Sequence, residues 1–193
     1  RLKLEIKRLS TAIEKFELGE QYEDAEEFFN VAVARAEELG ITDLRFARSM
    51  LELAGFYQFQ ERYAEAQSLY ERVLEIQALE VGLDHAVVGE TLNNLAEVNR
   101  MQNLFAEAEP LYLRSLANFE RSLGRDHLNV GIVLNNLGIL YQLQNQHGRA
   151  QPLFLQSLEI MEQNVEVDDV TIAPALANLG RAYHAQANYA EAG

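Results

Sequence analysis

The chain has 193 residues, 48% of them hydrophobic, and a formal net charge of −14. This hydrophobic content is enough for a packed core, whereas the acidic charge argues against nucleic-acid binding, which requires a basic surface. The sequence contains no cysteine, which excludes disulfide bonds and thiolate metal sites. No apolar run approaches the roughly 20 residues of a membrane-spanning helix. We therefore expect a cytoplasmic protein, and the start at Arg1 without a signal sequence suggests an excised piece of a longer chain.

One line of sequence recurs every 42 residues. LNNLAEVNRMQNLFAEA, LNNLGILYQLQNQHGRA and LANLGRAYHAQANYAEA begin at Leu92, Leu134 and Leu176. A period of this length indicates a solenoid, in which each repeat cannot bury its apolar face alone and therefore stacks on its neighbours. We predict one repeat domain of five repeats, with the boundaries 1–40, 41–82, 83–124, 125–166 and a truncated 167–193.

Each repeat is predicted to contain two helices, because apolar residues recur at helical spacing on both sides of a short polar turn. Gly82 and Gly124 stand where second helices should end, since glycine tolerates the left-handed conformation found there. The basic residues near the start fit a solvated helix face, with a membrane-surface helix as the alternative. The predicted helices are 2–18, 22–38, 43–60, 63–80, 85–101, 105–122, 127–143, 147–163 and 169–186, with a tenth beginning near Tyr189.

Small residues recur at one position of the first helices, where close helix packing is expected. These residues are Ala54, Ala96, Gly138 and Gly180. The predicted large neighbours on the second helices are Tyr70, Tyr112 and Phe154.

Asp-His pairs at 84–85 and 126–127 follow the glycines of the joints between repeats. They could indicate metal binding or acid–base chemistry. Each pair, however, begins its own helix, and the next repeat lacks the histidine. We therefore expect Asp84 and Asp126 to cap helices by accepting hydrogen bonds from free backbone N–H groups, and His127 to contribute little. The sequence contains no catalytic triad, phosphate-binding loop or zinc spacing, so we predict no enzyme activity, cofactor or metal.

The pattern Leu134-x2-Leu137-Gly138-x2-Tyr141, followed by Ala150-x3-Phe154, resembles the tetratricopeptide repeat. The 42-residue period, together with the joint LGRDHLNV at 123–130, resembles the long-repeat subgroup typified by kinesin light chains. This resemblance implies an all-α, right-handed superhelical solenoid of antiparallel helix pairs. It also implies a non-catalytic scaffold that binds an extended peptide of a protein partner in its concave groove. The alternative is a self-associating structural module of a larger signalling or motor-adaptor protein.

The resemblance places the first helices on the concave face and makes one recurring asparagine a ligand-holding position. Asn94, Asn136 and Asn178 occupy that position, although asparagine is unfavourable inside helices. An amide can both donate and accept, and so could hold the main chain of an extended peptide. The alternative is a bond to a carbonyl of a neighbouring helix. For Asn93 and Asn135, which precede two of these residues, both interpretations remain open.

Helical spacing extends the predicted groove along the first helices. The further candidates are Arg48, Glu52, Glu90, Glu97, Arg100, Met101, Ile132, Asn135, Ile139, Leu143 and Arg181. Ile132, Ile139 and Leu143 form a predicted apolar floor, which could instead contact the rest of a longer chain or another copy. The carboxylate clamp known from the family needs basic residues where this chain has Glu97, Pro174 and Ile132. The mixture of arginine and glutamate also argues against acidic peptides.

Overall fold

The structure is a computed structural model that describes residues 44–164 and 169–191, together with residues 30, 31, 33 and 34. Within 44–164 and 169–191 the chain forms seven α-helices and no strand. They are α1 (Leu44–Phe59), α2 (Tyr63–Glu80), α3 (Ala86–Met101), α4 (Phe105–Leu123), α5 (Leu128–Leu143), α6 (His147–Gln163) and α7 (Asp169–Glu191).

The predicted helix pairs are confirmed in this part of the chain, with bounds that differ by at most one residue for α1 to α6. The helix predicted at 2–18 lies outside the described residues. So does the one predicted at 22–38, apart from the helical residues 30, 31, 33 and 34.

The chain divides into two compact units, residues 1–83 and residues 84–193. In the first compact unit α1 packs against α2, and the buried core includes Phe46, Ala47, Met50, Val73 and Ile76. In the second compact unit α3 pairs with α4, α5 pairs with α6, and α7 packs on α6 and α5. Its core is continuous from Ala96 on α3 to Ala182 on α7. The stacking of repeats into a shared core, expected from the sequence, therefore holds within this unit.

Each complete helix pair turns at a residue with positive φ: 61° at Glu61, 61° at Asn103 and 60° at Asn145. The equivalent residue of the last repeat is Ala187, and here α7 continues to Glu191 without a turn. The predicted end of this helix at 186 and the predicted tenth helix near Tyr189 are therefore wrong. Alanine is the best helix former and, unlike asparagine, rarely adopts the left-handed conformation that the turn requires.

Close packing within a helix pair is tightest at Gly138. A Cβ atom placed there would lie 2.6 Å from Cε1 of Phe154, so the α5 backbone lies directly against the ring. Ala96 and Tyr112, at the same positions one repeat earlier, are fully buried. The predicted contact between a small and an aromatic residue is confirmed for Gly138 and Phe154. At Gly180 on α7, by contrast, an added Cβ would meet nothing within 4 Å.

Buried serines add a second tie between paired helices that the sequence did not reveal. The Ser115 hydroxyl donates to the Gly89 carbonyl at 2.6 Å, and the Ser157 hydroxyl donates to the Gly131 carbonyl at 2.7 Å. The two bonds are equivalent, one repeat apart. Glycine at the acceptor position removes the side chain that would otherwise separate the helices.

A charged cluster joins repeats 3 and 4. The Tyr141 hydroxyl donates to Glu109 Oε1 at 2.7 Å, and Arg149 donates to the same oxygen at 2.9 Å while its guanidinium lies 3.8 Å from the centre of the Tyr141 ring. Burial and then the Glu109 carboxylate raise the pKa of Tyr141 to about 12. The hydrogen bond from Tyr141 in turn lowers the pKa of Glu109. At neutral pH the Tyr141 hydroxyl therefore stays protonated and the Glu109 carboxylate stays ionised. The hydrogen bonds of the cluster then connect α4 to both α5 and α6.

The helix caps at the joints are histidines, so the predicted caps at Asp84 and Asp126 are wrong. Nδ1 of His85 accepts from the Val87 N–H at 3.4 Å, and Nδ1 of His127 accepts from the Asn129 N–H at 3.1 Å. Both helices begin one residue later than predicted, which puts the histidine rather than the aspartate at the N-cap. Asp84 instead forms an ion pair with Arg121.

We expect His127→Ala to lower the free energy of unfolding by about 1 kcal/mol, the usual cost of losing an N-cap acceptor. Asp126→Ala should cost less, because the Asp126 side chain is exposed and the cap remains. His127→Asn should retain most of the stability, since its side-chain oxygen can accept the same N–H. Urea denaturation of the three variants measures these differences. A larger loss for Asp126→Ala than for His127→Ala would contradict the assignment of the cap.

Candidate peptide-binding groove

The predicted groove residues of repeats 3 to 5 lie on α3, α5 and α7, the first helices of the second compact unit. In this unit α3 contacts α5, and α5 contacts α7, so the three helices form a continuous row. Arg48 and Glu52 belong to the first compact unit, where they form an exposed ion pair on α1 with Nε and Oε1 3.9 Å apart. The candidate groove of the second compact unit therefore consists of residues on α3, α5 and α7.

Two exposed apolar side chains end the first helices at equivalent positions. Met101 is the last residue of α3 and is 42% exposed, and Leu143 is the last residue of α5 and is 50% exposed. Ile139 lies one turn before Leu143, is half-buried and packs against the core. Ile132 is also half-buried. Of the predicted apolar floor, Leu143 is therefore the residue most available to a partner, and Met101 is its exposed equivalent in the neighbouring repeat.

The groove arginines interact with residues of their own helices. Arg100 forms an ion pair with Glu97 at 3.2 Å, and both side chains are largely covered. Arg181 is exposed and donates to Oδ1 of Asn178. Burial, followed by the nearby Glu97 carboxylate, raises the pKa of Tyr112 beneath this pair. Glu90 is also exposed on α3, so the row carries charges of both signs and no basic surface among these residues.

Asparagine side chains connect successive first helices. Nδ2 of Asn136 on α5 donates to Oδ1 of Asn93 on α3 at 3.1 Å. Nδ2 of Asn178 on α7 donates to Oδ1 of Asn135 on α5 at 2.8 Å. Each bond joins one repeat to the next. The alternative interpretation of these asparagines is a bond to a main-chain carbonyl of a neighbouring helix, and the structure shows a bond to a neighbouring helix whose acceptor is a side-chain amide.

The three recurring asparagines differ in their surroundings. Asn94 is half-buried and accepts at Oδ1 from Nδ2 of Asn93 at 3.4 Å, and Asn136 is also half-buried. Asn178 is only 3% exposed, and its Oδ1 accepts from Arg181. The sequence leaves both interpretations open for Asn93, and its side chain contacts both Asn94 and Asn136. The 42-residue recurrence that Asn93 shares with Asn135 is the signal that points to this position.

A metal-binding cluster and a membrane-spanning helix each place requirements on the described residues. No group of three or more histidine, aspartate or glutamate side chains that could hold a metal ion occurs among them. None of the described helices is both long and apolar enough to cross a bilayer.

The repeat pattern and the paired-helix geometry agree with a comparison against protein families. The sequence profile of the tetratricopeptide repeat matches residues 45–121 and 90–163. The chain belongs to the tetratricopeptide repeat family. A comparison with curated proteins finds no match.

Solved structures of kinesin light chain-like repeat proteins are similar to this chain over nearly all of its length. BtubC (BKLC) from P. vanneervenii shares 27% identity over 97% of this chain and 75% of its own, with a TM-score of 0.83. A protein from Podosopora anserina with nearly identical TPR-like repeats, named as a candidate kinesin light chain, shares 24% identity over 96% of this chain and 88% of its own, with a TM-score of 0.76. A single-residue variant of that protein has a TM-score of 0.78 at 23% identity and the same coverage. The long-repeat resemblance expected from the sequence is thereby confirmed.

Proposed function

We propose that this tetratricopeptide repeat chain is a non-catalytic scaffold in the cytoplasm that binds an extended peptide segment of a partner along α3, α5 and α7. Tetratricopeptide repeats generally mediate protein–protein interactions. The observation that carries the proposal is the exposed apolar pair Met101 and Leu143, placed one repeat apart on helices that also present polar amides. Apolar anchors combined with groups that bind main chain are the features by which grooves recognise peptides.

The charges of the groove favour a ligand anchored by apolar side chains rather than by charge. Arg100 is engaged by Glu97, and Arg181 by Asn178. An acidic ligand would have to displace these contacts and would also meet the exposed Glu90. A ligand that places apolar side chains on Met101 and Leu143 meets neither cost, and its burial of apolar surface would contribute directly to affinity.

The test is capture of partners from a cell lysate with the purified domain, followed by mapping of the bound segment and titration calorimetry. We expect Leu143→Asp to weaken binding of the mapped peptide by at least about tenfold, the effect of losing a central apolar anchor. The matched control is Leu155→Asp, because Leu155 is a comparably exposed leucine on α6, a second helix outside the row. Equal effects of the two substitutions, or none, would show that the partner binds elsewhere.

Self-association is the second candidate function, and it is favoured by the face that α7 presents to solvent. Leu176 is 50% exposed, whereas its equivalent Leu134 is 2% exposed beneath a second helix. Tyr183 is likewise exposed, whereas its equivalent Tyr141 is buried. Light scattering separates the candidates. The peptide scaffold predicts a mass that is independent of concentration, whereas self-association through this face predicts a mass that rises with concentration and falls back on Leu176→Ser.

A further inference from the structure

Three asparagine side chains in repeats 3 and 4 form a continuous line of hydrogen bonds, which we name the amide relay. Asn136 donates from Nδ2 to Oδ1 of Asn93, and Asn93 donates from Nδ2 to Oδ1 of Asn94. The distances are 3.1 and 3.4 Å. The relay therefore crosses from α5 to α3 and ends on the two asparagines that recur at the groove position.

The relay leaves different atoms available at its two ends. An asparagine amide has two N–H donors and an oxygen with two acceptor sites. Asn94 uses its oxygen in the relay, so its Nδ2 donors remain, whereas Asn136 uses an N–H, so its Oδ1 acceptor remains. Neither of these remaining atoms makes another hydrogen bond within the described part of the chain, and both side chains are only half-buried.

Repeat 5 has no comparably available asparagine amide at this position. Asn178 donates to Asn135, and its oxygen accepts from Arg181, so both ends of this amide are occupied. Its side chain is also almost fully buried. Although Asn178 shares the sequence position of Asn94 and Asn136, a bound peptide could not reach it without breaking existing contacts.

We propose that Asn93 is a positioning residue, which orients Asn94 as a donor and Asn136 as an acceptor for the main chain of a bound peptide. A peptide main chain offers a carbonyl to Asn94 and an N–H to Asn136, and recognition of this kind is independent of ligand side chains. The inference rests on the proposed peptide-binding function. It adds that two asparagines bind main chain instead of three, and that a third side chain sets their orientation.

Asn93→Leu is a suitable substitution to test the role of Asn93. Leu51 occupies the equivalent position in repeat 2, so the fold accommodates leucine there. The variant removes both hydrogen bonds of Asn93 and leaves Asn94 and Asn136 unchanged. Asn135→Leu is the matched control, because it makes the same change one repeat later and affects the bond to Asn178 instead.

The experiment is an NMR titration that follows the side-chain NH2 signals of Asn94, Asn136 and Asn178 in the whole 193-residue chain. The probe is N-methylacetamide, the smallest molecule with both groups of a peptide unit. N,N-dimethylacetamide keeps the carbonyl but lacks the N–H. We expect N-methylacetamide to shift Asn94 and Asn136, the dimethyl compound to shift Asn94 alone, and neither to shift Asn178.

In Asn93→Leu the shifts of Asn94 and Asn136 should be at least about threefold smaller, as expected when a hydrogen bond that fixes the geometry is lost. They should be unchanged in Asn135→Leu. A purely structural role for Asn93 would alter the melting temperature but leave the response to the probe intact, and that result would overturn the proposal. Shifts at Asn178, or none at Asn94 and Asn136, would also overturn it. The scaffold function would survive these failures if Leu143→Asp still weakened binding of the partner at least about tenfold.

Discussion

Gly138→Leu is expected to lower the free energy of unfolding by about 3 kcal/mol, at the upper end of the usual cost of overpacking a core. The Cβ atom alone would lie 2.6 Å from Cε1 and 2.8 Å from Cδ1 of Phe154, before the rest of the leucine is considered. The Phe154 ring is fully buried, so it has no space into which to move. Helices α5 and α6 would have to separate, which would disturb the core shared with repeat 3.

The chain contains a matched control for this substitution. Gly180 occupies the same repeat position on α7, but an added Cβ would meet nothing within 4 Å there. Leucine is also the better helix former, so Gly180→Leu should leave stability unchanged or raise it by up to about 1 kcal/mol. Urea denaturation followed by circular dichroism measures both variants. Equal losses would mean that the cost comes from the helix position itself and not from the contact with Phe154.

Phe154→Ala is expected to cost about 3–5 kcal/mol, the range for removing a buried aromatic ring from a core. The ring covers Gly138 and belongs to the core that extends from Ala96 to Ala182, so its removal leaves a cavity that α5 and α6 cannot readily close. Leu155→Ala is the control, since the adjacent Leu155 side chain is 42% exposed and its loss should cost less than about 1 kcal/mol. Similar losses at the two positions would contradict the assigned face of α6.

The losses of stability expected for Gly138→Leu and for Phe154→Ala should not be additive. In the double variant Gly138→Leu with Phe154→Ala, the new leucine can occupy the space that the ring leaves. The combined loss should therefore be smaller than the sum of the single losses by about 1 kcal/mol or more, as for residues in direct contact. Strict additivity would indicate that the two side chains do not compete for the same space.

The helix pairs and the contact at Gly138 could be predicted from the sequence because they depend on local signals. Apolar spacing specifies a helix and its buried face, and a 42-residue recurrence identifies the equivalent position in every repeat. The exception was α7, whose predicted end at 186 depended on a turn at Ala187. The recurrence shows where a turn can occur, but alanine at that position favours continuation of the helix unless packing of a second helix outweighs this preference.

The N-cap residues could not be predicted from local sequence signals alone. An aspartate and a histidine stand side by side at each joint, and both can accept a hydrogen bond from a helix N-terminus. A shift of one residue in the start of α5 decides between Asp126 and His127. Packing of the whole helix determines that shift, so the residue preferences of the joint alone pointed to the wrong side chain.

For the candidate groove, too, the sequence determined the positions of the residues, whereas the tertiary structure determined their contacts. By itself the sequence determined that Asn94, Asn136 and Asn178 share one helix position, and that Met101 and Leu143 share another. Only the tertiary structure decided that Asn136 bonds to Asn93, 43 residues away, and that Arg181 and burial close off Asn178. The physical reason is that helical periodicity fixes the face of a side chain along its own helix, whereas its hydrogen-bond partners depend on the rotation and spacing of the neighbouring helix, which are set by packing.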